Sequence, residues 1–217
     1  MTPSLPASVR PVFLEAVEAA RPLLSSPALA ARWDEPSVLE RLSLRGLAGH
    51  LLRAMTSVEA YLDRPEPPAE LVISAAAYYS AVVSETDLDG EVHTAIRRRG
   101  EESAAGGPTA LAADWAAATS RLRARLEEEP PTRRVRVYQD LVLSLDDYLV
   151  SRLIELCVHA DDLAASLGQP APALPGAAPA LAIATLVAVA RLRHGDAAVL
   201  RALTRRERDT AGALRVL

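Results

Sequence analysis

The sequence predicts an all-α protein: an antiparallel four-helix bundle followed by a C-terminal helical extension. Three observations predict it. Apolar residues recur at spacings of three and four through most of the chain, strand-like alternation is almost absent, and proline- or glycine-rich breaks separate the periodic segments. The 217 residues are enough for one substantial buried core. The expected division is residues 1–168 as the bundle, and residues 169–217 as a Pro/Ala linker and a helical extension packed on it.

The first helix is predicted over residues 8–32, interrupted near Pro22 and Pro27. The loop "WDEPSVLER" follows, and Ser43 is placed to cap a second helix. There Leu44, Leu47, Ala48, Leu51, Met55, Val58 and Leu62 form a single core-facing stripe, ended by "RPEPP" at 64–68. Residues 69–104 read as helical with a break at "TDLDG", 86–90, and "AAGGP" at 104–108 is a turn. A further helix spans 109–129 and stops at Pro130 and Pro131. "RRVRVYQ" is the only candidate strand, too short to organise a sheet. The helix over 148–168 is closed by Gly168. "QPAPALPGAAP" then leads into a last helical region ending in "TRRERD".

Composition excludes several roles. The net charge of −4 and pI near 5.6 lack the basic stripe of a nucleic-acid binder. The apolar run 176–190 is shorter than the roughly 20 residues that cross a bilayer and contains Pro179, so a buried helix is expected and no membrane partner. Cys157 is the single cysteine, so no intramolecular disulfide can form. The first residues lack a charged segment followed by an apolar one, and a reducing cytoplasm is the expected location. All 24 basic residues are arginine, with no lysine or asparagine, which hints at a GC-rich genome.

The helix at 148–168 carries the chemistry. Successive residues turn by about 100°, so Tyr148, Arg152, Glu155, His159, Asp162 and Ser166 share a narrow stripe. Leu149, Leu153, Leu156, Leu163 and Leu167 flank it on one side, Ile154 and Val158 on the other. Apolar residues on both shoulders turn this seam toward the interior, where an unpaired charge costs several kcal/mol. Glu155 and His159, at i and i+4, can reach one ion.

Of the other three histidines, His50 lies beside the apolar stripe and is the best third ligand, while His93 and His194 are expected in solvent. Two histidines and a carboxylate leave an open position, as in catalytic zinc sites, though nickel, iron or manganese also suit such ligands. The same residues could instead form a hydrogen-bonded pair and a salt-bridge ladder with Arg152 and Asp162. Cys157 reads as a small core residue. Trp33, Trp115, Tyr78 and Tyr79 read as packing, although a tyrosine hydroxyl facing the seam could position a substrate.

"RWDEPSVLERLSLRGLAGHLL", residues 32–52, and "LSLDDYLVSRLIELCVHADDLAASLG", residues 143–168, together resemble the mycothiol-dependent maleylpyruvate isomerase family within the DinB-like helical bundles. The matching positions are Trp33, Pro36, Ser37 and His50, then Arg152, Glu155, His159, Asp162 and Leu163. The resemblance covers most of residues 8–168. It implies a divalent metal, usually zinc, on His50, Glu155 and His159, with Arg152 and Asp162 orienting the ligands or Arg152 meeting an anionic substrate. It also implies mycothiol, a low-molecular-weight thiol of actinobacteria, attacking a small electrophile in S-transfer or isomerisation.

Maleylpyruvate isomerases carry an additional α/β domain, whereas residues 169–217 read as helical, so a thiol S-transferase or another isomerase is expected, as a monomer or homodimer. The alternatives are a non-catalytic metal-binding or regulatory bundle, and an oligomeric helical protein held by salt bridges without metal.

Overall fold

A computed structural model describes residues 8–68, 72–82, 90–205, 207 and 211–216. Most of the expected "TDLDG" break, the start of the 69–104 segment and part of "TRRERD" lie outside these residues.

The helices begin where side-chain caps allow. Ser8 caps α1 (Val9–Leu24), which runs through Pro22 before breaking at Ser25. Ser26 caps the short α2 (Pro27–Ala31). Ser43 accepts from the Gly46 N–H at the start of α3 (Leu44–Leu62), as its position predicts, and the whole predicted apolar stripe of α3 is buried. Residues 72–74 are not helical as expected. Ile73 pairs with Leu143 as an isolated bridge, and α4 (Ala75–Val82) starts only after it. Then come α5 (Glu91–Ser103), α6 (Gly107–Glu128), α7 (Leu145–Leu167), α8 (Ala177–His194) and α9 (Asp196–Thr204). Gly168 closes α7 at φ 66°, a left-handed conformation that glycine adopts without Cβ strain.

The strand expectation was incomplete. Within "RRVRVYQ" β1 (Arg134–Arg136) pairs with β2 (Val142–Ser144) as a two-stranded hairpin. Gln139 and Asp140, at φ 57° and 58°, make its turn. Three-residue strands leave too little alternation to announce β2 in the sequence.

Helices α1, α7, α3 and α6 form a ring, each packed on the next and the last on the first. Cross-helix bonds give their directions. Between α3 and α7, His50 meets Glu155 and Ser57 meets Tyr148, so one number rises as the other falls: an antiparallel pair. Arg10 reaches the Leu126 carbonyl and Arg123 reaches Glu18, so α1 and α6 are antiparallel too. Between α3 and α6, Met55 meets Thr119 and Glu59 meets Arg121, and these neighbours run parallel. Arg10 bonds Asp146 at the first turns of α1 and α7, while Arg32, just after α2, bonds the Ser166 carbonyl near the end of α7. The bundle is therefore up, down, down, up, with two parallel pairs packed antiparallel to one another. Its core includes Phe13, Leu51, Met55, Trp115, Leu122, Leu149 and Leu153.

Two elements ride on this ring. α8 lies along α4 and α7, with α9 against it. The run 176–190 is not the fully buried helix expected. Ala178, Ala182, Val189 and Ala190 face inward, while Ile183 and Leu192 are about 60 % exposed, continued by Leu200 and Leu203 on α9. One neighbouring layer can cover only one side of a helix that is apolar all round.

α5 crosses α3 at backbone contact. A Cβ built on Gly49 would lie 2.0 Å from the Gly100 carbonyl oxygen, and one on Gly100 would lie 2.6 Å from that of Gly46. Glu101 locks the crossing by accepting from the Ser43 hydroxyl and from Arg45 Nε. Replacing Gly49 by Ala must push α5 away from α3 and, as overpacking does, is expected to cost about 1–3 kcal/mol. The urea midpoint of Gly49→Ala against wild type measures it, and an unchanged midpoint would refute the close crossing.

Candidate metal centre

His50 stands on the side of α3 that faces α7, one residue on from Gly49 at the α5 crossing. Glu155 and His159 project from successive turns of α7, on the predicted seam. Their side chains are only 17–22 % exposed, and that of His50 is 18 % exposed. The seam thus faces α3 and α4, as its apolar shoulders require, with Leu149, Leu153, Ile154, Leu156 and Leu163 fully buried around it.

One carboxylate oxygen joins the three residues. Glu155 Oε2 lies 2.8 Å from His50 Nε2 and 3.3 Å from His159 Nε2, and the two imidazoles meet edge-on with centroids 4.8 Å apart. The other oxygen, Oε1, accepts from the Tyr79 hydroxyl of α4, which is also 3.0 Å from the Ser151 carbonyl, and lies 4.0 Å from Arg152 Nη2. His159 Nδ1 is 3.0 Å from Asp162 Oδ2. Ser166, the last residue of the seam, bonds the Asp162 carbonyl and accepts from the Val38 N–H, tying α7 to the loop before α3.

The surroundings set the charge states. Burial opposes ionisation of Glu155, but hydrogen bonds from His159 and His50 and the Arg152 charge outweigh it and hold the carboxyl well below its usual range. His50 is lowered by burial. Burial also works against a charged His159, yet the bonds to Asp162 and Glu155 prevail and raise it to about 9. Burial pushes the Cys157 thiol up to about 11, so it stays protonated near neutrality, consistent with a packing role.

The three ligand atoms lie within 4.8 Å of one another, and no fourth His, Cys, Asp or Glu joins them among the described residues. The separations of 2.8 and 3.3 Å from Glu155 to the two histidines lie just below and at the about 3.3 Å between two ligands on a tetrahedral zinc. The donors are two imidazoles and one carboxylate, so the set fits a divalent cation. His50 Nδ1 is buried without a hydrogen-bond partner, unlike its counterpart on His159.

The remaining candidates fall as follows. Arg152 stacks over the Tyr148 ring at 5.1 Å while neighbouring Glu155. His194 ends α8, exposed. His93 is half-buried in α5 and has an interaction of its own, so the expectation that it stands in solvent is corrected. Trp33 and Trp115 pack as expected, and Tyr78 is buried against Tyr148. Tyr79 does more than pack, since it holds Glu155. Its spacing from the seam, 76 residues, offers no periodic signal that could have singled it out.

Without metal, the pairing of His159 contributes fully below pH 6.5, the ordinary imidazole value, and is lost as the pH rises through about 9. The depressed His50 acts only below its ordinary value, where stability rises with pH. Chelator-treated protein should therefore lose on the order of 2–3 kcal/mol of unfolding free energy between pH 6.5 and 9. His159→Gln should flatten that decline, as urea titrations across the range would read directly.

The family model described as the mycothiol maleylpyruvate isomerase N-terminal domain matches residues 13–164. Comparison with curated proteins and with solved structures gives no match. The matched span contains α3, α4 and most of α7, and with them His50, Tyr79, Glu155 and His159. It covers well over half of the chain, which therefore belongs to the family of mycothiol maleylpyruvate isomerase N-terminal domains.

Proposed function

We propose that this protein is a divalent-metal-dependent enzyme in which His50, Glu155 and His159 hold the ion, zinc being the best fit, and a mycothiol-like thiol attacks a small electrophile in S-transfer or isomerisation. The observation that carries the reading is the convergence of two imidazoles and one carboxylate from two helices, with ligating atoms within 4.8 Å, at a partly exposed seam. A structural site would be closed by a fourth protein ligand, and the cluster is three-membered among the described residues.

A bound cation would supply Lewis acidity, lowering the pKa of a thiol so that its nucleophilic form is present at neutral pH. The chain's own residues do the rest. Asp162 fixes the His159 ring so that Nε2 points to the centre. Tyr79 and Arg152 hold Glu155 Oε1, leaving Oε2 free to serve as the ligand atom. Two carboxylates, one guanidinium and a divalent ion leave one positive charge over, which favours an anionic sulfur over a neutral one. The buried leucines around the seam keep water from competing. A low-molecular-weight thiol stays reduced in the cytoplasm, and we place the protein there.

Protein purified without a metal-affinity tag should contain close to one divalent ion per chain, lost in His50→Ala and His159→Ala; elemental mass spectrometry decides it. No ion in wild type, even after incubation with added metal, would refute the reading. Tyr79→Phe should keep the stoichiometry but weaken metal affinity about 10- to 100-fold, the usual effect of removing a residue that orients a ligand. Competition with a chelator measures that loss.

A further inference from the structure

Charge is placed unevenly along this chain. Residues 191–217 hold seven arginines against three acidic residues, a net charge of +4, whereas the whole chain carries −4, so residues 1–190 carry −8. The exposed large apolar side chains concentrate toward the same end. Ile183, Leu192, Leu200 and Leu203 are 59–62 % exposed and Leu214 is 39 % exposed, five of the eight such residues among those described.

The fold brings the two features to one corner. Arg191, in the last turn of α8, pairs with Asp196, in the first turn of α9, at 2.7 Å across Gly195. α9 packs on α8 with Val199 as its buried residue, and the helical turn Ala211–Leu214 packs on both. Leu200 and Leu203, at i and i+3, share one side of α9. Beside them Arg201 and Arg205, and next to Leu214 Arg215, are exposed and have no carboxylate partner among the described residues. Arg193 differs, being bonded to the Tyr79 and Val216 carbonyls.

Leucines held open to water beside unpaired guanidiniums suit a partner that is apolar and anionic at once. A second copy of this corner, meeting it across a two-fold axis, would set like charge against like. A nucleic acid would answer the arginines and leave the leucines wet. A bilayer surface with anionic headgroups answers both, because leucine enters the boundary between headgroups and acyl chains while arginine stays among the phosphates. The shortness of the run 176–190 bears on crossing a bilayer and not on lying against one.

We propose that the α8–α9 corner, with Leu192, Leu200 and Leu203 as its apolar contacts and Arg201 and Arg205 as its cations, docks on an anionic lipid membrane. The remainder of the chain, at −8, is repelled by the same surface, which fixes the orientation: this corner toward lipid, the rest toward water. The contact does not depend on the metal centre.

The test is co-sedimentation of the full chain with vesicles of phosphatidylcholine alone, and of phosphatidylcholine mixed with phosphatidylglycerol. The mixed vesicles should bind the protein and the neutral ones should not. Binding should be lost in about 1 M salt, where the Debye length shrinks to about 3 Å. Arg201→Gln and Arg205→Gln should each weaken it about fivefold, and the double variant Leu200→Gln, Leu203→Gln roughly tenfold or more. Melting temperatures should stay at the wild-type value, since all four side chains are exposed. No binding to mixed vesicles, equal binding to both kinds, binding that the leucine variant leaves intact, or variants that melt well below wild type would each overturn the surface. So would capture of duplex DNA in preference to mixed vesicles, or a homodimer in size-exclusion chromatography that the leucine variant splits, because a second copy would then cover the corner.

Discussion

The structure turns on the cost of burying one carboxylate. Glu155 is withdrawn from water on a helix lined with leucine, and an isolated charge there would be untenable. Its four polar neighbours come from three helices: His50 from α3, Tyr79 from α4, Arg152 and His159 from α7. Each of those groups needs support in turn, and that support organises the neighbourhood. Asp162 braces His159. Arg193 of α8 donates to the Tyr79 carbonyl at 2.9 Å, so the C-terminal helix is bonded to the residue that orients the carboxylate. Removing any one member leaves the others with a buried charge and fewer partners.

Much of the site was legible because an α-helix writes neighbours at fixed spacing. The seam from Tyr148 to Ser166 needed only the 3.6-residue period, and apolar residues on both its shoulders gave its inward orientation. His50 was legible by residue type and by its place beside a strong apolar stripe. What periodicity omits is direction and partnership between distant segments. Nothing in the stripes of α3 and α6 distinguishes parallel from antiparallel neighbours, and the parallel pairing follows only from contacts such as Glu59 with Arg121.

That Tyr79, and not another tyrosine, bonds Glu155 is illegible for the same reason, because the two residues lie on different helices. The exposed side of α8 was misjudged because an apolar run shows hydrophobicity without showing how many neighbours will cover it. His93 is half-buried because the break beside it does not decide how α5 packs. In each case the missing quantity was tertiary and could not be recovered from the local chain.

The separation of the ligands along the chain has a consequence for biosynthesis. His50 and Glu155 are 105 residues apart, with α4, α5, α6 and the hairpin between them. During synthesis the first helices emerge and collapse early, but of the three clustered residues only His50 is present until α7 follows. If the three residues hold an ion as proposed, its capture would be coupled to closure of the bundle by the last ring helix, and a truncated or stalled chain would carry no complete centre.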